Sequence, residues 1–219
     1  MTRNSVALAH LSWALPASSL ALAMLVHALD EPRAVPFFIS EADSAGLQGW
    51  IFSIGLTLGG LAQMAYAWRL SQVLQAQRTR WWTMGNGVGI VAGANAVLLA
   101  YFDMWNHLDA HVVTSMLAFG GGLVWAMTAH AAMGDNGTEA GRNERRWGFI
   151  TSAAAFATMM VSFRWGGNGV DATDLSTAQF LNEAQAGINI AAPAEYLLVA
   201  GLFLCLASFR HELRASAER

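Results

Sequence analysis

Between residues 102 and 111 the chain reads F-D-M-W-N-H-L-D-A-H, which crowds Asp103, His107, Asp109 and His111 into one short stretch. His107 and His111 stand four apart, so a helical turn puts both imidazoles on one face. A helix offers two ligands to one zinc ion in this way. Asp103, or Glu195 arriving from a distant helix, would complete the set and leave a position for a water whose pKa the metal lowers. A bland reading uses the same residues. Asn106 suits a helix N-cap, and Asp109 three positions on gives the N-x-x-D pattern of a capping box. Asp109 also sits well at the positive end of a helix dipole. Glu195, just after Pro193, suits the first turn of the last helix in the same manner.

Long apolar runs must position these groups. Of 219 residues 55% are hydrophobic and only 12% charged, about half the charged share of a soluble domain. The charges are clumped, leaving six windows of roughly 20 residues, the length a helix needs to cross the hydrocarbon core. Backbone in lipid must satisfy its own hydrogen bonds, which leaves helices or closed barrels, and unbroken runs do not alternate as barrel strands do. The expected fold is all-α: one domain over residues 1–219, a bundle of six transmembrane helices near 6–29, 47–70, 83–102, 106–133, 147–164 and 193–209. The first run lacks a small-residue cleavage pattern and reads as a retained helix. Pro16 should kink it. Gly85, Gly89 and Gly93 form a small-xxx-small ridge for close helix approach, and Gln63, Asn86 and Asn95 are expected to bond between helices. Residues 165–190 read as the longest loop, its second half lying along the membrane surface.

Arginine placement gives an orientation. Arg3, Arg69, Arg78, Arg80, Arg142, Arg145, Arg146, Arg210, Arg214 and Arg219 fall on one side, and only Arg33 and Arg164 on the other. The positive-inside rule makes the first side cytoplasmic, with both termini there. Asp103, His107, His111 and Glu195 then lie at the outer face, near His27, Asp30, Glu31 and Arg164. The net charge of −3 offers no basic surface for nucleic acid, and the lone Cys205 supports neither a disulfide nor a thiolate metal site. His10 with His27, and His111 with His130, place a histidine near each face of two helices, but their separations are too long for a two-haem arrangement.

The order of motifs resembles the DRAM/Frag/Sfk family of six-helix membrane proteins. V-P-F-F-I-S-E-A-D (35–43) precedes W-I-F-S-I-G-L (50–56), where that family has a P-x-I-S-[DE] loop followed by phenylalanine and glycine in its second helix. His111 followed by Leu117-Ala118-Phe119 is similar to the family's fourth helix, and Glu195-Tyr196 to the start of its last. Phenylalanine replaces the usual tyrosine in the first motif, and Tyr196 stands where tryptophan is common. A related bacterial six-helix group of unknown function shares the helix count and the I-S-E loop.

The resemblance implies an integral membrane protein associated with lipid, in the inner membrane if the chain is bacterial. The leading expectation is a protein that engages outer-leaflet lipid through Asp103, His107, His111 and Glu195, without established catalysis. The alternative is a hydrolase or acyl-transfer enzyme working at a lipid ester, with zinc on His107 and His111. A small-molecule transporter is the third reading, and the lack of a membrane-centre acid argues against proton coupling in it.

Overall fold

The computed structural model describes residues 2–217, with side chains from Ser5 onward. The long helices are α1 (Thr2–Leu29), α2 (Leu47–Val73), α3 (Thr79–Leu99), α4 (Leu108–Met133), α5 (Glu139–Gly166) and α7 (Gln185–Ser208). Two short helices, α6 (Thr177–Glu183) and α8 (Arg210–Ala217), flank α7, and the described residues contain no strand. Five helices, α1, α2, α3, α4 and α7, are long and apolar enough to cross a membrane. The 28 residues of α5 give it the length, but its opening E-A-G-R-N-E-R-R dilutes its hydropathy.

Successive long helices run antiparallel. Gly55 and Gly59 of α2 meet Ser19 and Pro16 of α1, and Gly85 and Gly89 of α3 meet Thr128 and Trp125 of α4. Backbones also approach closely where neither side has a side chain. A Cβ on Gly60 would lie 2.7 Å from the Gly93 carbonyl oxygen, and one on Gly148 would lie 2.7 Å from that of Gly201. Such contacts suit lipid, where packing rather than the hydrophobic effect drives helix association. The expected ridge on α3 therefore divides. Each i+4 step turns about 40° around a helix of 3.6 residues per turn, so Gly85 and Gly89 face α4 while Gly93 has rotated onto α2.

α1 continues unbroken through Pro16. Proline lacks the N–H that would bond to the carbonyl four residues earlier, and Gln63 Nε2 of α2 donates to that Ser12 oxygen at 3.3 Å. Trp125 Nε1 likewise donates across to Asn86 Oδ1 at 3.4 Å. Asn95 differs from expectation: it bonds within its own helix, to the Val91 oxygen at 2.9 Å.

Two boundaries also differ. α7 starts at Gln185 and carries Pro193 in its interior, so Glu195 is not a first-turn residue. The expected surface loop is largely this helical extension plus α6, whose Ser176 and Gln179 form a capping box. α4 starts at Leu108 after His107, so Asn106 is not its N-cap.

Large apolar side chains such as Leu22, Ile54, Leu58, Val91, Val113, Val161 and Leu197 stand exposed around the bundle. In a bilayer that belt meets hydrocarbon. The connections 30–46, 100–107 and 167–184 gather at one end, here the loop end. The start of α1 and the helix α8 meet at the other, the terminal end, where Arg69 Nε bonds Ser5 Oγ at 2.9 Å. There Arg145, wholly buried, pairs with Glu212 at 2.8 Å and lies 4.4 Å from the Phe209 ring centroid. Glu144 pairs with Arg210 at 2.7 Å and contacts His211 at 3.0 Å.

Candidate functional site

At the loop end α3 stops at Leu99, and Asp103 organises the turn that follows. Its Oδ1 accepts from the Trp105 amide at 2.9 Å, the Asn106 amide at 2.8 Å and Asn106 Nδ2 at 3.0 Å. Burial alone would raise this carboxyl, but the hydrogen bonds from Asn106 and Trp105, with His107 nearby, hold it below its ordinary value. His107 is exposed and packs edge-on against Phe102, with ring centroids 6.0 Å apart. His111 is buried, its Nδ1 lying 2.7 Å from the Phe102 carbonyl oxygen. A carbonyl can only accept, so Nδ1 carries the proton. Among the described residues no three His, Cys, Asp or Glu side chains gather as metal ligands.

Glu195 joins a different set. Its Oε2 accepts the Ile39 amide at 2.7 Å, and the neighbouring Tyr196 hydroxyl donates to the Phe37 oxygen. Both therefore grip the 35–43 segment, which folds back into the bundle as a plug. The 3-10 turn Ile39–Ala42 places Ile39 and Ala42 in a core with Leu20, Ala23, Phe52, Leu56, Ala96 and Leu99. Arg33 clamps the segment from outside. Its guanidinium meets Glu41 twice, at 3.0 and 3.1 Å, and reaches Asn182 at 3.0 Å and Gln185 at 2.7 Å. Glu41, wholly buried, also accepts the Phe38 amide at 2.9 Å. The four sequence candidates thus divide: Asp103, His107 and His111 share the α3–α4 turn, while Glu195 belongs with Glu41 on the plug.

Two further groups stand out here. His27 is buried with its ring edge-on to Phe37 at 4.8 Å, and neither ring nitrogen has a hydrogen-bond partner. Asp43 accepts from Ser53 Oγ at 3.3 Å while its Oδ2 is buried and unpartnered. Burial pushes the Asp43 carboxyl up to about 7; Ser53 opposes the shift and Asp103 adds to it. In the sequence Arg33, Glu41 and Asp43 read as loop residues. Nothing in linear order says that an acid in a loop will be buried, and the I-S-E-A-D motif was the one available signal.

Below the plug lies an apolar crevice of about 100 Å³, lined in part by Leu20, Ala96, Ala118, Gly122, Val199 and Leu202. Gln63 is the one amide-bearing side chain on its wall. Helical spacing ties it to the polar end. Leu20 lies two turns from His27 on α1, Ala118 two turns from His111 on α4, and Val199 one turn from Glu195 on α7. Each of these polar residues continues a stripe that lines the crevice.

A helical bundle with an apolar outer belt, apolar spans and polar groups gathered at its two ends is an integral membrane protein. The Frag1/DRAM/Sfk1/Cwh43P N-terminal domain model matches residues 5–216, and the chain belongs to that family. No curated protein and no solved structure matches it.

Proposed function

We propose that the protein engages membrane lipid at its loop end, with α5 as a sixth crossing and both termini cytoplasmic. α5 packs along α7 from Arg145 beside Ser208 to Gly166 beside Gly187, so a bilayer that holds α7 also holds α5. Its Arg142, Arg145 and Arg146 lie with Arg69, Arg78, Arg80 and Arg210 at the terminal end, and the positive-inside rule favours that end as cytoplasmic. The loop end then meets outer-leaflet headgroups, in the inner membrane if the chain is bacterial.

The observation that carries the lipid reading is the set of buried, unpartnered atoms there, the His27 ring nitrogens, Asp43 Oδ2 and Trp105 Nε1, none of them in an ion pair; at the terminal end the leftover Arg145 Nε and Glu212 Oε2 belong to side chains already paired with each other. Buried polar atoms are nearly always paired, and an unpaired one calls for a ligand or water. Asp103, His107, His111 and Glu195 are the further contact candidates around them. Acids dominate this end: Asp30, Glu31, Glu41, Asp103 and Asp109 face only Arg33, which is committed to Glu41, and Arg164. The headgroup chemistry this favours is ammonium-bearing, as in phosphatidylethanolamine, over purely anionic.

Native mass spectrometry tests this. Protein from nanodiscs of mixed phosphatidylethanolamine and phosphatidylglycerol should retain the amine lipid preferentially. Glu195→Gln, which still accepts the Ile39 amide, and Asp43→Asn should each weaken the preference severalfold. Equal retention of the two lipids, or variants indistinguishable from the parent, would sink the reading.

A further inference from the structure

We propose that the crevice beneath the plug is a tail-binding site for one acyl chain, so that the ligand is a single-tailed amphiphile or one tail of a lipid drawn in between α4 and α7. This rests on the headgroup reading only for the direction in which the amphiphile points. The α1 and α2 walls, Pro16, Leu20, Leu56 and Ala67, are buried. On the other side Ala118, Phe119, Gly122, Val199, Leu202 and Phe203 are only half-buried. The crevice therefore opens laterally, across the seam of α4 and α7, at a depth where the surrounding solvent is hydrocarbon.

The chemistry of the wall selects the occupant. Gln63 Nε2 bonds the Ser12 oxygen freed by Pro16, and what remains of one amide falls short of the roughly three partners a buried water takes. An apolar cavity of this size stays dry and takes apolar guests. At about 100 Å³ it has room for one chain segment and not for two. The lined stretch runs from Ala118 to Trp125 on α4 and from Val199 to Leu206 on α7, about 10 Å of helix axis at 1.5 Å per residue. At the loop end the plug residues Ile39 and Ala42 pack against Leu20, Leu56, Ala96 and Leu99, four of the crevice's own walls. The tail lies below the plug and the head emerges beside it, near His27, His111 and Glu195.

The test is a chain-length series. Lysophosphatidylethanolamines from octanoyl to stearoyl would compete, on the full-length protein in nanodiscs, with a lysolipid carrying a photoactivatable diazirine in its tail. Expected, at equal mole fraction of lysolipid in the disc, are labelling of Ala118, Phe119 or Leu202, a competition strength that rises with chain length through added packing contacts, and a plateau within the octanoyl-to-myristoyl range as the crevice fills. Gly122→Phe should abolish the plateau-limited binding, because a Cβ there already meets Leu202 at 3.3 Å. Ala118→Leu, a smaller filling that spares the fold, should shift the plateau to shorter chains. Gly120→Phe, on the same helix but with nothing within 4 Å of its Cβ, should leave the series unchanged. Affinity that climbs without a plateau, labelling spread over outer-belt residues, or equal effects of the substitutions at Gly120 and Gly122 would overturn the proposal as mere bilayer partition. Lysophosphatidylglycerols run in parallel separate the two readings. The same plateau with either head upholds the tail site and sinks the headgroup preference. A head preference without a plateau does the reverse.

Discussion

At the terminal end of the bundle, acids face guanidinium groups: buried Glu212 meets Arg145, and half-buried Glu144 meets Arg210. At the loop end most meet backbone amides instead. Glu195 takes the Ile39 amide, Asp103 the Trp105 and Asn106 amides, and Glu41 the Phe38 amide in addition to its Arg33. The first arrangement locks α5 to α8 by charge. The second spends acid charge on holding a loop inside a bundle. Buried atoms are left over at both ends: the His27 ring nitrogens, Asp43 Oδ2 and Trp105 Nε1 at the loop end, and Arg145 Nε, Glu212 Oε2 and His130 Nδ1 at the terminal end. The two ends thus differ in what their acids hold, another helix at the terminal end and a loop at the loop end.

Breaking the pairs tests that contrast most strongly. Removing one partner of a buried pair strands the other, at a cost of about 3–5 kcal/mol, so Glu212→Ala should unfold at markedly lower temperature or denaturant in detergent. The joint replacement Arg145→Met with Glu212→Leu should recover most of that loss, as apolar substitutes for buried pairs often do. At the loop end, Arg33→Met with Glu41→Leu should not recover, because the Phe38 amide and the Asn182 and Gln185 side chains lose partners too. Full recovery at both ends would erase the comparison.

Acid dependence sharpens it next. Asp43 in the fold holds its proton up to about 7, against an ordinary value of 3.8. Between those two values the folded state binds the proton that the unfolded state has shed, so Asp43 makes stability fall as pH rises through that window. Asp103 works in the opposite sense: its lowered carboxyl contributes stability at neutral pH that is lost as pH falls through its folded value. Asp43→Asn should flatten the descent between pH 4 and 7 in unfolding measurements, and Asp103→Asn should remove stability at pH 7 and little of it in strong acid. A parent whose stability rises across the Asp43 window, with Asp43→Asn changing nothing, would show that carboxyl to be ionised.

Smaller effects follow. Tyr196→Phe loses the hydroxyl bond to the Phe37 oxygen, about 1 kcal/mol, and should loosen the plug in hydrogen exchange at Ile39 and Ala42 while leaving the terminal end unmoved. Smallest is Asp135→Asn, which breaks the 3.5 Å surface pair with Arg142 and should alter stability by no more than about 0.5 kcal/mol.

The helices were legible because a membrane demands a simple pattern, roughly 20 apolar residues between charged caps, and the chain supplies it. Their ends were less so. Residues 185–192 look like loop, being short of large apolar groups and followed by Pro193, yet they form the first turns of α7 because Ile188, Ala191 and Ala192 bury against the α5 side of the bundle. The candidate site was half legible. The i,i+4 pair His107 and His111 was visible in the linear order, but the turn built by Asp103 sends one ring to solvent and the other to a backbone oxygen.

By itself, then, the sequence determined the all-helical membrane class, the family and the arginine-rich end, since hydropathy and charge clumping act along the chain. Only the tertiary structure decided which acids are buried and what they hold. Glu195 reaches Ile39 across 156 positions and Arg33 reaches Gln185 across 152. Contacts at that range arise from packing the hairpins together, and no local pattern of residues encodes them.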